Sequence, residues 1–299
     1  MDITLMAYSR IKAAGLKGKP VWLKKRVRPG KARNVEKCID VCGLNTVCTE
    51  AACPNRNECF AKGTAAFMIL GNVCTRNCRF CNVFSGSPAP PDGSEPKRLA
   101  EAVRKMGLVY TVVTSVTRDD LPDGGSGIYA EVISAVRRST GSRVEVLTPD
   151  FRANSEDIQT VIQACPDVYN HNVETVPRLY PDIRPGADYQ RSLDLIRHVS
   201  GAGLTAKSGI MVGLGETDSE IIGVFRDLLD AGCTLLTIGQ YLCPGQQCVP
   251  VYEYIHPDHF EYLKKKALSI GFKGVSSGPF VRSSHNAGDL FNAAVCETT

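Results

Sequence analysis

Of the thirteen cysteines in this sequence, two groups of three are spaced for metal-centre chemistry. Cys74, Cys78 and Cys81 read C-x3-C-x2-C, with Phe80 directly before the third. A loop this short can wrap a cubane so that three thiolates reach three irons, leaving the fourth iron open to a substrate or cofactor. Thiolates are soft ligands suited to iron–sulfur clusters or zinc. A structural zinc site is normally closed by four ligands, and this loop offers no fourth. The spacing also differs from the C-x2-C-x2-C run of bacterial ferredoxins. Cys48, Cys53 and Cys59 read C-x4-C-x5-C in a polar stretch, where Pro54, Asn55 and Asn57 are turn formers that can fold the run around a centre. A second cluster and a zinc site both suit this triplet, with inert buried thiols as the plain alternative. Cys38 and Cys42 lie outside it and read as spare thiols.

A strand must deliver the first loop, and the apolar run Thr64 to Leu70 precedes it directly. From there short apolar runs alternate with helical patterns, the signature of parallel β/α units. Strands are expected at Thr64–Leu70, Val109–Val116, Arg143–Leu147, Asp167–Val173, Leu204–Val212 and Thr234–Tyr241. Helices are expected from about Pro96, with Leu99, Val103 and Met106 on one face, and from Ile128, with Val132, Ala135 and Val136 inward. The next carries Ile158, Val161, Ile162 and Cys165 at helical spacing, which makes Cys165 a core residue. Leu193, Ile196 and Val199 mark a further helix, and Thr217-Asp218-Ser219-Glu220 is a capping box opening another. Pro257 opens the last, with Gly271 as its stop. The expected fold is α/β: a partial (β/α)6 TIM-type barrel with an N-terminal cysteine-rich extension and a C-terminal tail. Six units fall two short of a closed eightfold barrel and leave a lateral opening. The expected divisions are 1–63 for the arm and extension, 64–275 for the barrel and 276–299 for the tail.

The 299 residues are 43% hydrophobic and 22% charged, as in soluble globular proteins. No apolar run approaches the ~20 residues of a membrane span, so no membrane partner is expected. The chain is too long for a disulfide-stapled module and opens with no apolar signal segment, so a reducing cytoplasm is the expected compartment. The net charge of +4 hides an asymmetry: Met1 to Lys37 carries an excess of nine positive charges, and the remainder an excess of five negative ones. That arm reads either as solvated chain or as a docking surface for an acidic protein. Nucleic acid is not expected, because the basic run has Trp22 as its one interleaved aromatic and no recognition motif.

Other residues gain meaning at strand ends, where βα loops build active sites. Gly209-Ile-Met-Val-Gly213-Leu-Gly215-Glu216 ends the fifth strand, and glycines there let the backbone approach a ligand closely. Asn172 and Glu174 end the fourth, where a carboxylate can take both hydroxyls of a ribose. His171 on the same strand reads as a hydrogen-bonded barrel histidine, and His256 as a cap for the last helix.

Taken together, the chain resembles the lipoyl synthase family of the radical S-adenosylmethionine (SAM) superfamily from about Pro20 to Ala287. The cysteine loop matches the superfamily signature C-x3-C-x-aromatic-C. More specific stretches are Thr46 to Asn55, Val113 to Gly125, Pro149 to Arg152, Tyr169 to Tyr180, Arg184 to Tyr189, Lys207 to Glu216 and the run Gly278-Pro-Phe-Val-Arg-Ser283-Ser284. The resemblance implies insertion of two sulfurs, at C6 and C8 of an octanoyl chain carried on a lysine of a lipoyl-carrier domain. It implies that Cys74, Cys78 and Cys81 hold a [4Fe–4S] cluster that binds SAM, and that Cys48, Cys53 and Cys59 hold an auxiliary [4Fe–4S] cluster, the sulfur donor, with Ser283 as its fourth and catalytically important ligand. Asn172, Glu174, Lys207 and Gly213 are the implied cofactor contacts. The implied partners are octanoylated carrier domains, such as E2 subunits or the glycine-cleavage H protein, and a one-electron donor such as flavodoxin or ferredoxin.

Ser283 lies 235 positions beyond Cys48, so ligation would clamp the C-terminus onto the extension. An oxygen ligand matches this soft site less well than a thiolate, which suits a ligand that must leave when sulfur is donated. Two departures stand out. The family tail usually reads Arg-Ser-Ser-Tyr, whereas His285 follows the serines here, and the stretch Leu242 to Cys248 differs from the family's usual run, leaving Cys243 and Cys248 without a role.

Overall fold

The computed structural model describes residues 10–13, 18–25 and 32–296. Four of the eleven basic residues of the arm, Lys17, Arg26, Arg28 and Lys31, lie outside the described residues. The barrel strands, numbered β1 to β7, are Ala66–Ile69, Tyr110–Ser115, Arg143–Leu147, Val168–Asn170, Ala206–Val212, Leu235–Gln240 and Gly274–Gly278. They are parallel and lie side by side in chain order, and the short strand Asn45–Thr46 pairs antiparallel with β1 at the far edge. The sheet therefore stays open between β7 and that edge strand, a partial barrel whose first six strands fall where the apolar runs place them.

The seventh strand was not legible. Its sequence, Gly-Val-Ser-Ser-Gly, holds a single β-branched aliphatic residue, and its place is fixed by register with β6, from Leu235 opposite Gly274 to Gly239 opposite Gly278. At Gly274 the strand runs close to its neighbours: a Cβ would stand 2.9 Å from Leu235 Cδ2 and displace that side chain. This strand crosses the division expected at residue 275.

The helices α1 to α7 are Glu95–Met106, Ser126–Thr140, Ser155–Gln163, Tyr189–Gly201, Asp218–Asp230, Pro257–Ile270 and Ala287–Cys296. Local chemistry starts them where expected: Pro96 sits in the first turn of α1, Thr217 and Glu220 close the capping box of α5, and His256 Nδ1 accepts from the amide of Asp258 to cap α6. Their apolar faces pack on the outer residues of the strands. In β3, Val144 and Val146 join that core while Glu145 takes the opposite face, the alternation a strand imposes. One expectation fails. Cys165 is exposed, because α3 ends at Gln163 and Cys165 follows it with φ 54°, so the helical spacing does not reach it.

Two features cover the open barrel's end and edge. Helix α7 brings Phe291 and Ala294 against Val168 and Leu235, the first residues of β4 and β6, and so covers the end of the barrel away from the cysteines. At the edge, Asn45–Thr46 fastens the cysteine-rich extension to β1. Part of the basic arm is also committed to the fold. Arg10–Lys12 pairs with Glu253–Ile255, Arg10 forms ion pairs with Asp218 and Glu253, and Lys25 reaches Glu58 at 2.7 Å. Among the described residues no helix is long and apolar enough to cross a membrane.

Candidate active site

The loop after β1 is held by its backbone and by one arginine. Thr75 N donates to Thr117 O at 3.0 Å, Arg79 N to Ile183 O at 2.9 Å and Gly86 N to Cys74 O at 2.9 Å. Arg76, between the first two cysteines, forks onto Asp119 at 2.7 and 2.9 Å and reaches Asp150 at 2.6 Å. Asp150 is fully buried and also faces Arg191 at 3.3 Å. Burial alone would raise its pKa, but the hydrogen bond and charge of Arg76 outweigh it and hold the carboxylate well below its usual range. After Asp150 the chain turns through three consecutive left-handed residues, Phe151, Arg152 and Ala153, with φ of 45°, 51° and 63°. Such conformations cost about 1 kcal/mol or more each in non-glycine residues; here they bring Arg152 to Asp119 at 3.3 Å.

Inside this frame the thiols of Cys74, Cys78 and Cys81 lie within electrostatic reach of one another. Backbone amides point at the sulfurs: Arg76 N and Thr117 N at 3.4 and 3.3 Å from Cys74 Sγ, Val83 N at 3.5 Å from Cys81 Sγ. Burial pushes Cys81 up to about 12 and Cys78 upward too, so these thiols keep their protons at neutral pH until a metal displaces them. Phe80 packs beside Ile183, Leu214, Tyr241 and Val249, which anchors the third cysteine.

The second triplet rests on two short helices, Val47–Glu50 and Arg56–Ala61, with Cys53 in the turn between them. Thr46 caps the first helix, accepting from Thr49 N at 3.3 Å. Cys48, Cys53 and Cys59 lie within electrostatic reach of one another, and burial pushes Cys48 up to about 12. The tail is laid against this group. Asn55 Nδ2 donates to Phe280 O at 2.6 Å, Lys25 stands over the Phe280 ring, His285 faces Glu58 at 3.9 Å, and Arg282 feels the charge of Cys53. Asn55, read in the sequence only as a turn former, is thus the buried link between extension and tail.

Among the described residues no three His, Cys, Asp or Glu groups converge tightly enough to hold a single ion. Three thiols that each serve a different iron of a cubane stand wider apart than the ligands of one ion. The donor chemistry, three soft sulfurs per group with amides directed at those of the first loop, fits iron–sulfur clusters.

Between the two triplets lies the mouth of the barrel. Asn172 Nδ2 donates to Glu174 Oε1 at 3.0 Å and to Ser283 Oγ at 2.7 Å, while Asn172 Oδ1 is buried without a partner. Glu174 adopts φ 66°, and burial raises its pKa against the opposing pull of Arg184 and Asn172. Lys207 is fully enclosed; its ammonium donates to Glu145 Oε1 at 2.7 Å and to the main-chain oxygen of Ser283 at 2.7 Å. Gly213 has φ 100°, and a Cβ would meet Gln240 Nε2 at 2.2 Å and Glu253 O at 2.5 Å, so only glycine lets this turn close. Glu216 then takes the amides of Gly213 and Leu214 at 2.6 and 2.9 Å. His171 is buried between Thr148 O at 2.9 Å and Ser192 Oγ at 3.0 Å; burial drives it down to about 4, so it is a neutral structural histidine. Cys243 and Cys248 lie beside the first loop, where Cys248 Sγ donates to Cys81 O at 3.4 Å.

The sequence model of the Radical SAM superfamily matches residues 68–228, from β1 through α5. A lipoyl synthase of Caldanaerobacter subterraneus subsp. tengcongensis is 54% identical over 271 residues, covering 90% of this chain and 95% of that protein. The chain belongs to the lipoyl synthase family. A lipoyl synthase of Rubrobacter xylanophilus is 52% identical over 91% of this chain and 86% of its own length. Among solved structures, methylornithine synthase (PylB) aligns with a TM-score of 0.54 at 14% identity, covering 84% of this chain and 71% of that one. HydG, a maturase of the [FeFe]-hydrogenase, aligns at 0.54 and 18%, over 68% and 47%. These two likenesses are of fold.

Proposed function

We propose that this chain makes the lipoyl cofactor with Cys74, Cys78 and Cys81 holding the SAM-binding [4Fe–4S] cluster, and Cys48, Cys53, Cys59 and Ser283 holding the auxiliary one. The reaction is that of a radical SAM sulfurtransferase: two sulfurs enter a protein-bound octanoyl chain at C6 and C8. When bound, the clusters and SAM supply the hydrogen-abstracting radical and the sulfur. The chain's residues orient these groups. The bidentate pair of Arg76 with Asp119 and its second pair with Asp150 stiffen the loop between the first two thiols. Glu174 and Asn172 offer a carboxylate and an amide to the ribose of SAM, and Gly213 serves through the shape of its turn, its own amide and carbonyl being taken by Glu216 and Tyr252. Ser283, an oxygen donor in a soft site, is a ligand able to leave as sulfur is withdrawn.

One observation carries this assignment. In a chain half identical to lipoyl synthases, each triplet is gathered by its own element, and the tail bearing Ser283 lies across the second. The octanoylated partners proposed are E2 lipoyl domains or the glycine-cleavage H protein, with flavodoxin or ferredoxin as electron donor and the cytoplasm as compartment. The test is anaerobic reconstitution with labelled sulfide, then reductant, SAM and an octanoyl-lysine peptide. Product carrying two labelled sulfurs per chain supports the assignment; unlabelled sulfur in the product rules out the auxiliary cluster as donor.

A further inference from the structure

Lys207 and Glu145 form a fully enclosed ion pair of 2.7 Å on the inner face of the barrel. Buried pairs of this kind are weak sources of stability, because desolvation offsets their attraction. The contacts of this pair point to another role. Around Glu145 the network is dense: Tyr110 OH donates to Oε2 at 2.7 Å and Asn170 Nδ2 to Oε1 at 3.4 Å. Four strands thereby contribute to one polar group, Tyr110 from β2, Glu145 from β3, Asn170 from β4 and Lys207 from β5. The remaining strong bond of the ammonium leaves the barrel wall altogether and ends on the main-chain oxygen of Ser283, 76 positions away. The hydroxyl of the same serine is held by Asn172 at 2.7 Å.

We propose that Lys207, oriented by Glu145, is the positioning residue of Ser283, fixing the backbone of the tail while leaving the serine side chain to turn. A charge-assisted bond to the carbonyl defines where Cα sits, while the side chain, held by Asn172 in this structure, stays free to change χ1 without moving the chain. The pair thus transmits the rigidity of the barrel to a ligand that no disulfide or strand holds in place. Lys207 acts through Ser283 and not by touching SAM. This inference rests on Ser283 being a ligand of the auxiliary centre.

The test uses the reconstituted full chain carrying Cys74, Cys78 and Cys81 as Ala, so that Mössbauer spectra report the auxiliary cluster alone. Four forms are compared: no further change, Ser283→Ala, Glu145→Gln with Lys207→Met, and Glu145→Gln alone. The paired change removes both charges together and leaves neither buried alone. Expected is a spectrum of the paired variant that matches Ser283→Ala, with iron content kept by three thiolates. Hydrogen exchange at amides 281–285 should quicken by about tenfold or more, with the 74–81 loop unchanged. If the paired variant fails to fold, Glu145→Gln carries the test, with a partial shift of the same kind. A reference spectrum and unchanged tail exchange in these variants overturn the positioning role. If Ser283→Ala itself leaves the spectrum unchanged, the ligand assignment falls instead; quickened exchange at 281–285 would then still support the anchoring of the tail.

Discussion

The two cysteine triplets solve one problem, presenting three thiols, by opposite means. The loop of Cys74, Cys78 and Cys81 is contiguous, follows a barrel strand, and is braced by amides and by a half-buried arginine whose partners lie on neighbouring loops. The group of Cys48, Cys53 and Cys59 sits on two short helices at the sheet edge and is completed by a tail from the other end of the chain. The first is rigid because its scaffold is the barrel core. The second depends on a distant segment of the chain for its closure.

The largest expected difference comes from the thiols themselves. Replacing Cys74, Cys78 and Cys81 by Ala should remove about half of the roughly eight irons and all SAM cleavage, read by iron analysis and 5′-deoxyadenosine release. Surviving cleavage would break the comparison at its root. Replacing Cys48, Cys53 and Cys59 by Ala should leave 5′-deoxyadenosine formation and abolish thiolated product, because the radical generator is proposed to draw its ligands from the other loop. Thiolated product from that variant would show the two sites are not separable.

Next in size is the brace. Asp150→Ala leaves Arg76 with Asp119 alone and takes the counter-charge from Arg191. A loss of about 3 kcal/mol in unfolding free energy is expected, with iron lost from the first site before the second. Equal loss from both would deny the loop its separate scaffold. Ser283→Ala is milder still for iron, since three thiolates remain, yet should lower sulfur transfer; Ser284→Ala, the adjacent control, should not.

The smallest expected contrast is in acid. His171 is depressed to about 4 from an ordinary value near 6.5, so below 6.5 the unfolded chain takes up a proton that the folded barrel refuses. Stability is therefore full above pH 6.5 and falls by up to about 3 kcal/mol as pH drops toward 4, a slope that His171→Gln should remove. Glu58, in the extension between Lys25 and Lys62, is depressed to about 2 by its hydrogen bond to Lys25 first. Its pairing persists from neutrality through pH 4.5 and is lost as pH falls through 2. Barrel probes should thus respond to mild acid before the contacts of the extension do; the reverse order would undo the assignment of acid sensitivity to His171.

The sequence by itself determined what periodicity and spacing encode. Six strands and their helices follow from apolar runs and caps such as Thr217 with Glu220, and both triplets follow from cysteine spacing, because these signals are local. Cys165 marks the limit of periodicity, which cannot see a helix stop two residues early. What only the tertiary structure decided is what depends on partners far along the chain. Strand β7 exists because β6 pairs with it, Asn55 because Phe280 needs a donor, and the Lys207–Glu145 pair because four strands converge on one enclosed point. Each is polar or weakly patterned in sequence, so hydrophobic periodicity carries no record of it, and only the folded chain brings donor to acceptor.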